Sequence, residues 1–251
     1  MVPEWLHILA IVSLVLAGLC ALVIAVDEFA HPQKMWIMNI VWPINALYFG
    51  PIGLWAYYAI GRKSTKAHQE QMQQQMQHEH PGKDKEEDEP KDRVKKAEKK
   101  GMKPFWQIVT VGVTHCGAGC TLGDIIAEWT VFWTGWLIVG AAIWPEYILD
   151  FTLAYLLGIV FQFFSIAPMR NLGLKDGLIA AVKADTLSLT AFEVGLFGWM
   201  ALTVFVFFPQ PHLHPTEPTY WLMMQVGMIL GFLTSYPVNV WLIKRGIKEA
   251  M

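Results

Sequence analysis

Thr114-His115-Cys116-Gly117-Ala118-Gly119-Cys120-Thr121-Leu122-Gly123-Asp124, running on to Glu128, is the stretch around which this chain is organised. It lies inside an apolar run over residues 105–143. Thiols, an imidazole and carboxylates have no hydrophobic reason to gather there. On a helix, Cys116, Cys120, Asp124 and Glu128 recur every four residues and form one slowly drifting stripe. Ionisable groups at membrane depth are costly, so a functional role is their default reading.

The composition supports a membrane setting. Of 251 residues, 54% are hydrophobic and only 16% charged, against about 25% charged in an ordinary soluble domain. Twelve of the nineteen Lys and Arg fall within residues 61–104. The net charge of −2 gives no reason to expect a nucleic-acid partner. Three cysteines, Cys20, Cys116 and Cys120, are too few for a disulfide scaffold.

Read in order, residues 5–26 form a first span. Glu4 precedes it and no Lys or Arg does, which favours a span over a cleaved signal. Cys20 reads as an apolar filler. Asp27, Glu28 and His31 read as a solvated turn. Residues 36–60 form a second span, kinked by Pro43 and Pro51. Residues 61–104 are a charged loop in which Met72, Met76, His78 and His80 are soft-ligand types that would suit a copper-like ion; a polar linker is the plainer reading.

The run over 105–143 is too long for one ordinary span. It is expected to be an interfacial helix followed by a span, in preference to a re-entrant segment broken at its glycines. Residues 147–168, 186–208 and 219–243 supply the remaining spans. Residues 172–182 are expected to lie along the membrane surface, and His212 and His214 stand in a Pro-rich loop. The expected fold is therefore all-α and integral to the membrane, with six spans paired as three hairpins. Its parts are an N-terminal hairpin (1–60), a cytoplasmic loop (61–104) and a four-helix domain (105–251). Placing the basic loop inside puts both termini in the cytoplasm and 18 of 19 Lys and Arg on that side, the pattern of an inner-membrane protein.

The second half repeats itself. A shift of 65 places Gly112 on Gly177, Thr121-Leu122 on Thr186-Leu187, Glu128 on Glu193 and Cys120 on Asp185. A shift of 73 places Pro145 on Pro218 and Leu157-Gly158 on Leu230-Gly231. The units, about 105–169 and 170–245, run the same way, as parallel repeats do in some transporters. Glu128 and Glu193 then take matching places, as carboxylates facing a shared cavity.

His115, Cys116 and Cys120 are three ligand types, with Asp124 as a fourth; thiolate and imidazole together suit Zn²⁺ or Cu⁺. The leading expectation is transport or binding of copper or zinc. His115, Cys116, Cys120 and Asp124 would hold the ion, and Glu128, Glu193 and Asp185 would line the path or exchange protons. Met72, Met76, His78, His80, His212 and His214 would be accessory sites at its mouths. The alternative is a non-transporting scaffold, assembly factor or thiol redox sensor, in which the glycines and thiols pack helices. No nucleophile–base pair, phosphate loop or His-Glu-x-x-His signature marks an enzyme. The partner expected is the lipid bilayer, with a second copy of the chain left open.

The motif at 114–124, with Lys183-Ala184-Asp185-Thr186-Leu187-Ser188-Leu189, Phe192-Glu193 and Ser235-Tyr236-Pro237-Val238-Asn239, resembles a family of prokaryotic membrane proteins catalogued as a domain of unknown function. The resemblance covers residues 105–245. It implies a multi-span inner-membrane protein and assigns no activity.

Overall fold

The computed structural model describes residues 2–66 and 104–248, which form helices joined by short connections. Helix α1 is Glu4–Ala30, α2 Met38–Phe49 and α3 Pro51–Ala56, the last running on through a widened turn to Gly61. Then come α4 (Phe105–Thr134), α5 (Ile143–Arg170), α6 (Leu174–Leu202) and α7 (Pro218–Lys244). Five of them, α1, α4, α5, α6 and α7, are long and apolar enough to cross a membrane.

Helix α4 is the pillar. All residues from 111 to 120 are buried, and α2, α5, α6 and α7 pack around it. Its glycines face neighbouring helices instead of breaking the helix. A Cβ at Gly119 would lie 2.8 Å from the Cα of Gly158, and one at Gly123 would lie 2.8 Å from the Cα of Ala154. Helices α4 and α5 thus meet backbone to backbone, the close approach that small residues permit between membrane helices. The expected interfacial helix plus span over 105–143 is therefore one helix of 30 residues, about 45 Å long, ended by Gly135 at φ +63°. The expected surface helix over 172–182 is likewise the first part of α6. Both helices exceed the roughly 30 Å hydrocarbon core, so apolar length was no signal of a break.

The second expected span is not a continuous helix. At Gly50 the backbone takes φ +53°, a conformation that glycine adopts without strain, and Pro51 opens the next helix. The chain then returns to where it started. Gln33 bridges Thr65 in antiparallel fashion, the Lys34 N–H donates to Ser64 O at 3.1 Å, and the Lys66 N–H donates to Pro32 O at 3.1 Å. Asp27 accepts from Tyr57 Oη and from Arg62 Nη1, each at 2.7 Å. Helix α2 has 12 residues, about 18 Å, too short to cross a core of about 30 Å. The tip reaches the middle of the bundle. A Cβ at Gly50 would lie 3.9 Å from Ala17 Cα, halfway along α1, and the Phe49 ring is 5.0 Å from Phe232, halfway along α7. Residues 32–66 form a helical hairpin that enters and leaves by one end.

That end also holds the beginnings of α4 and α6 and the ends of α5 and α7. Trp36 meets Phe164 at 5.0 Å, and Lys244 lies 5.6 Å from the Phe105 ring. At the other end Trp129 meets Trp221 at 6.3 Å, while Ser13 donates to Gln225 at 2.7 Å. Helix α1 begins at this second end and α7 finishes at the first. The two termini of the bundle therefore lie at opposite ends, against the expectation of six continuous spans. Cys20 packs among Ile24, Ile37 and Trp42 as the apolar filler expected.

Candidate functional site

Helical periodicity sets which groups meet. Successive residues of a helix point about 100° apart, so the adjacent His115 and Cys116 face different neighbours. His115 is fully buried. Its Nδ1 lies 2.9 Å from Val111 O, and a carbonyl can only accept, so Nδ1 carries the proton. Nε2 is then the acceptor, 2.8 Å from Ser165 Oγ on α5. Both ring nitrogens are engaged away from the thiols.

Cys116 faces α6 and α7. Its thiol donates to Asp185 Oδ1 at 2.7 Å, and its sulfur lies 2.8 Å from Ser188 Oγ. Asn239 Nδ2 donates to Ser188 Oγ at 2.6 Å, and Ser235 Oγ donates to Ser188 O at 2.9 Å. Lys248 completes the cluster, with Nζ 3.1 Å from Asp185 Oδ1 and 3.2 Å from Cys116 Sγ. Asn45 of α2 seals one side: its Nδ2 donates to Thr114 O at 2.9 Å, and its Oδ1 accepts from Tyr48 Oη.

Further along α4 the stripe becomes acidic. Cys120 faces Glu193 of α6. Asp124 lies in the field of Glu193 and Glu128. Asp150 of α5 and Tyr220 of α7 flank Glu128, with Glu146 close by. Asp124, Glu128, Asp150 and Glu193 are at most 2% exposed. Neither oxygen of Asp124 has a hydrogen-bond partner among the described residues. From Cys116 to Glu128 the stripe climbs about 18 Å.

The predicted stripe of Cys116, Cys120, Asp124 and Glu128 therefore exists and is buried throughout. The predicted four-ligand set does not form: among the described residues no group of three or more His, Cys, Asp or Glu is arranged to hold a metal ion. The reason is rotational, since His115 points at α5, and also axial, since Cys116 and Asp124 are two turns apart. Glu128 and Glu193 share Asp150 and Asp124 as neighbours. Asp185 pairs with Lys248, at 3.1 Å. His212 and His214 are exposed at the end where α1 begins, His214 lying 6.2 Å from Phe132. Met72, Met76, His78 and His80 lie outside the described residues.

Sequence reasoning missed Asp150, Tyr220 and Lys248 as members of the stripe, and quoted Ser188, Ser235 and Asn239 only as parts of motifs. The signal for Asn239 was its spacing of four from Ser235; both are fully buried. Asp150 carried a weaker one, an acid in an apolar helix. Lys248 carried none.

No curated protein and no solved structure matches the chain. One family model matches through residues 105–248, which takes in α4 to α7 and ends on Lys248, and it covers more than half of the chain. On that match the chain belongs to the family described as Domain of unknown function (DUF4396).

Proposed function

We propose that this is an integral membrane protein that carries a small cation across the bilayer, with protons exchanged at the buried carboxylates. The observation that carries the reading is Asp124. It is wholly buried in a membrane-length helix, its oxygens have no hydrogen-bond partner among the described residues, and Glu128, Asp150 and Glu193 surround it. Four carboxylates in a low-dielectric interior cannot all stay ionised without protons or cations to neutralise them. A packed core would place apolar residues there instead.

The topology that goes with this reading has five spans and a re-entrant hairpin. The end bearing Lys34, Arg62, Lys63, Lys66, Arg170, Lys175, Lys244 and Arg245 faces the cytoplasm, and the start of α1 faces outward. Every Lys and Arg among the described residues then lies toward the cytoplasm, including Lys34, which a six-span arrangement leaves outside. The parallel duplication is part of the same proposal. Gly158 and Gly231 are matched positions and each meets a glycine of the preceding long helix, Gly119 and Gly195, although the shift of 65 places Gly119 on Ala184 and not on Gly195.

Copper or zinc as cargo remains a narrower form of the reading, with Cys116, Cys120, Asp124 and the carboxylates as successive stations; His115 is engaged elsewhere. The scaffold alternative has one observation in its favour, the glycine contacts just named. The test is proton flux into proteoliposomes, followed with a trapped pH dye under an imposed potential. Wild-type protein should conduct well above empty vesicles, and Asp124→Asn or Glu193→Gln should lower the rate tenfold or more. Rates equal to empty vesicles, with Cu⁺, Zn²⁺, Na⁺, K⁺ and ammonium each tried as counter-cation, would leave the scaffold reading in place. Metal bound by purified wild type and lost in Cys116→Ser, Cys120→Ser protein would support the copper or zinc form.

A further inference from the structure

The segment after α7 does not trail away from the bundle. The Gly246 N–H, at φ +69°, donates to Ile243 O at 3.0 Å, and the Ile247 N–H donates to Leu242 O at 3.0 Å. This is the glycine-based helix stop that reverses the chain, and it turns Lys248 back into the bundle. The Lys248 side chain is 0% exposed. Its ammonium has three N–H donors and finds three acceptors: Asp185 Oδ1 at 3.1 Å, Cys116 Sγ at 3.2 Å and Ser188 Oγ at 3.5 Å. Asp185 Oδ2 and Asn239 Oδ1 add buried acceptors without partners among the described residues. Gly112 lines the place: a Cβ there would be in ordinary van der Waals contact with Lys248 Cε, at 3.7 Å.

We propose that Cys116, Asp185, Ser188 and Asn239 form a binding site for ammonium or a small primary ammonium ion, and that Lys248 is its tethered occupant, closing the cytoplasmic end of the stripe. The lysine comes from outside the spanning helices, so it can leave without unwinding one. The spacing fits N–H donors. A calcium ion would demand six or more oxygens at about 2.3–2.6 Å, and magnesium an octahedron at about 2.0–2.1 Å. The binding site stands on this geometry alone; the closing role rests on the proposed pathway.

The test uses full-length purified protein in detergent. Lys248→Ala leaves Asp185 buried without its cation and should melt below wild type. Methylammonium chloride should raise the melting temperature of Lys248→Ala by about 3–6 °C at tenfold over half-saturation. Tetramethylammonium chloride, which has no N–H, should not, and neither salt should shift wild type differently from the other. Asp185→Asn in the Lys248→Ala background should abolish the response. Equal effects of the two salts, or a methylammonium response that survives Asp185→Asn, would overturn the site. Should Lys248→Ala not survive purification, Lys248→Gln carries the same comparison with a neutral side chain of similar size. In proteoliposomes, Lys248→Gln should take up labelled methylammonium at least several-fold faster than wild type. Binding without any faster uptake overturns the closing role and keeps the site. Absence of all flux in every variant sinks the pathway, while the binding result still decides the site.

Discussion

Cysteine scanning of the hairpin separates five spans from six with few substitutions. The substitutions are Lys34→Cys, Lys63→Cys and His212→Cys, each at an exposed position. The native Cys20, Cys116 and Cys120 are buried and supply little background. Removing one of nineteen basic residues leaves the charge asymmetry intact. The geometry fixes the outcome. The backbones at Lys34 and Ser64 are joined by a hydrogen bond of 3.1 Å, whereas residues on opposite faces stand about 30 Å apart or more. To cross, α2 would need about 12 Å more helix, roughly eight residues beyond its present end. Gly50 and the return through α3 occupy those residues. With a membrane-impermeant maleimide on intact cells, His212→Cys should label fully. Lys34→Cys and Lys63→Cys should label only after lysis. If Lys34→Cys labels from outside while Lys63→Cys is protected, the hairpin does not exist in the membrane and the six-span arrangement is right. If both label from outside and His212→Cys does not, the hairpin stands and the orientation is inverted.

Four further substitutions test the packing and the buried polar groups. Gly119→Ala places a methyl group against the Gly158 backbone, so α4 and α5 must separate by about an ångström, at about 1–3 kcal/mol. Gly198→Ala, where nothing lies within 4 Å, should instead hold or raise the melting temperature, because alanine is the better helix former. Ser165→Ala removes the donor to His115 Nε2 and leaves a buried acceptor unpaired, a loss of about 1–3 kcal/mol in denaturation of the purified protein. An unchanged melting point would mean that His115 has another partner. Asp124→Asn removes a buried group whose charged form nothing among the described residues compensates; it should raise the melting temperature while abolishing flux, and a drop in stability would place Asp124 in a structural network.

What was legible in the sequence was what repeats locally. The four-residue spacing of Cys116, Cys120, Asp124 and Glu128 holds because α4 is regular from Phe105 to Thr134. The last span, read as 219–243, is α7 at Pro218–Lys244, since Pro218 can open a helix and the apolar run does not exceed a membrane. Where a helix outlasts the membrane, as α4 and α6 do, hydropathy suggested a break that the backbone does not make. The glycines of α4 allowed two readings, a break or close helix packing, and their contacts with α5 are those of packing. At Gly50-Pro51 the sign was present, because that dipeptide is a common turn marker; it was read as a kink when the chain in fact reverses. The Lys248 contacts, 63 residues from Asp185 and 132 from Cys116, leave no periodic trace.

The two halves of the stripe solve the problem of buried charge differently, and this bears on how such a protein could work. At the end where α7 finishes one carboxylate, Asp185, is matched by one ammonium, and the pair is closed by Ser188 and Cys116. A small cation can replace the lysine there without changing the net charge of the site. Toward the end where α1 begins, Asp124, Glu128, Asp150 and Glu193 have no lysine or arginine against them among the described residues, whose basic side chains all lie toward the other end. Carboxylates packed together in low dielectric do not ionise together, so under the proposed function this group would exchange protons as a cation came or went. Cys120 and Glu193 sit where the two regimes meet. A cation moving outward from Asp185 would displace a proton at Glu193, so coupling would arise at that junction and not at either mouth. Glu193→Gln should then uncouple the movements, leaving methylammonium binding in a Lys248→Ala background intact while proton flux is lost, whereas loss of both together would show that Asp185 and Glu193 act as a single site.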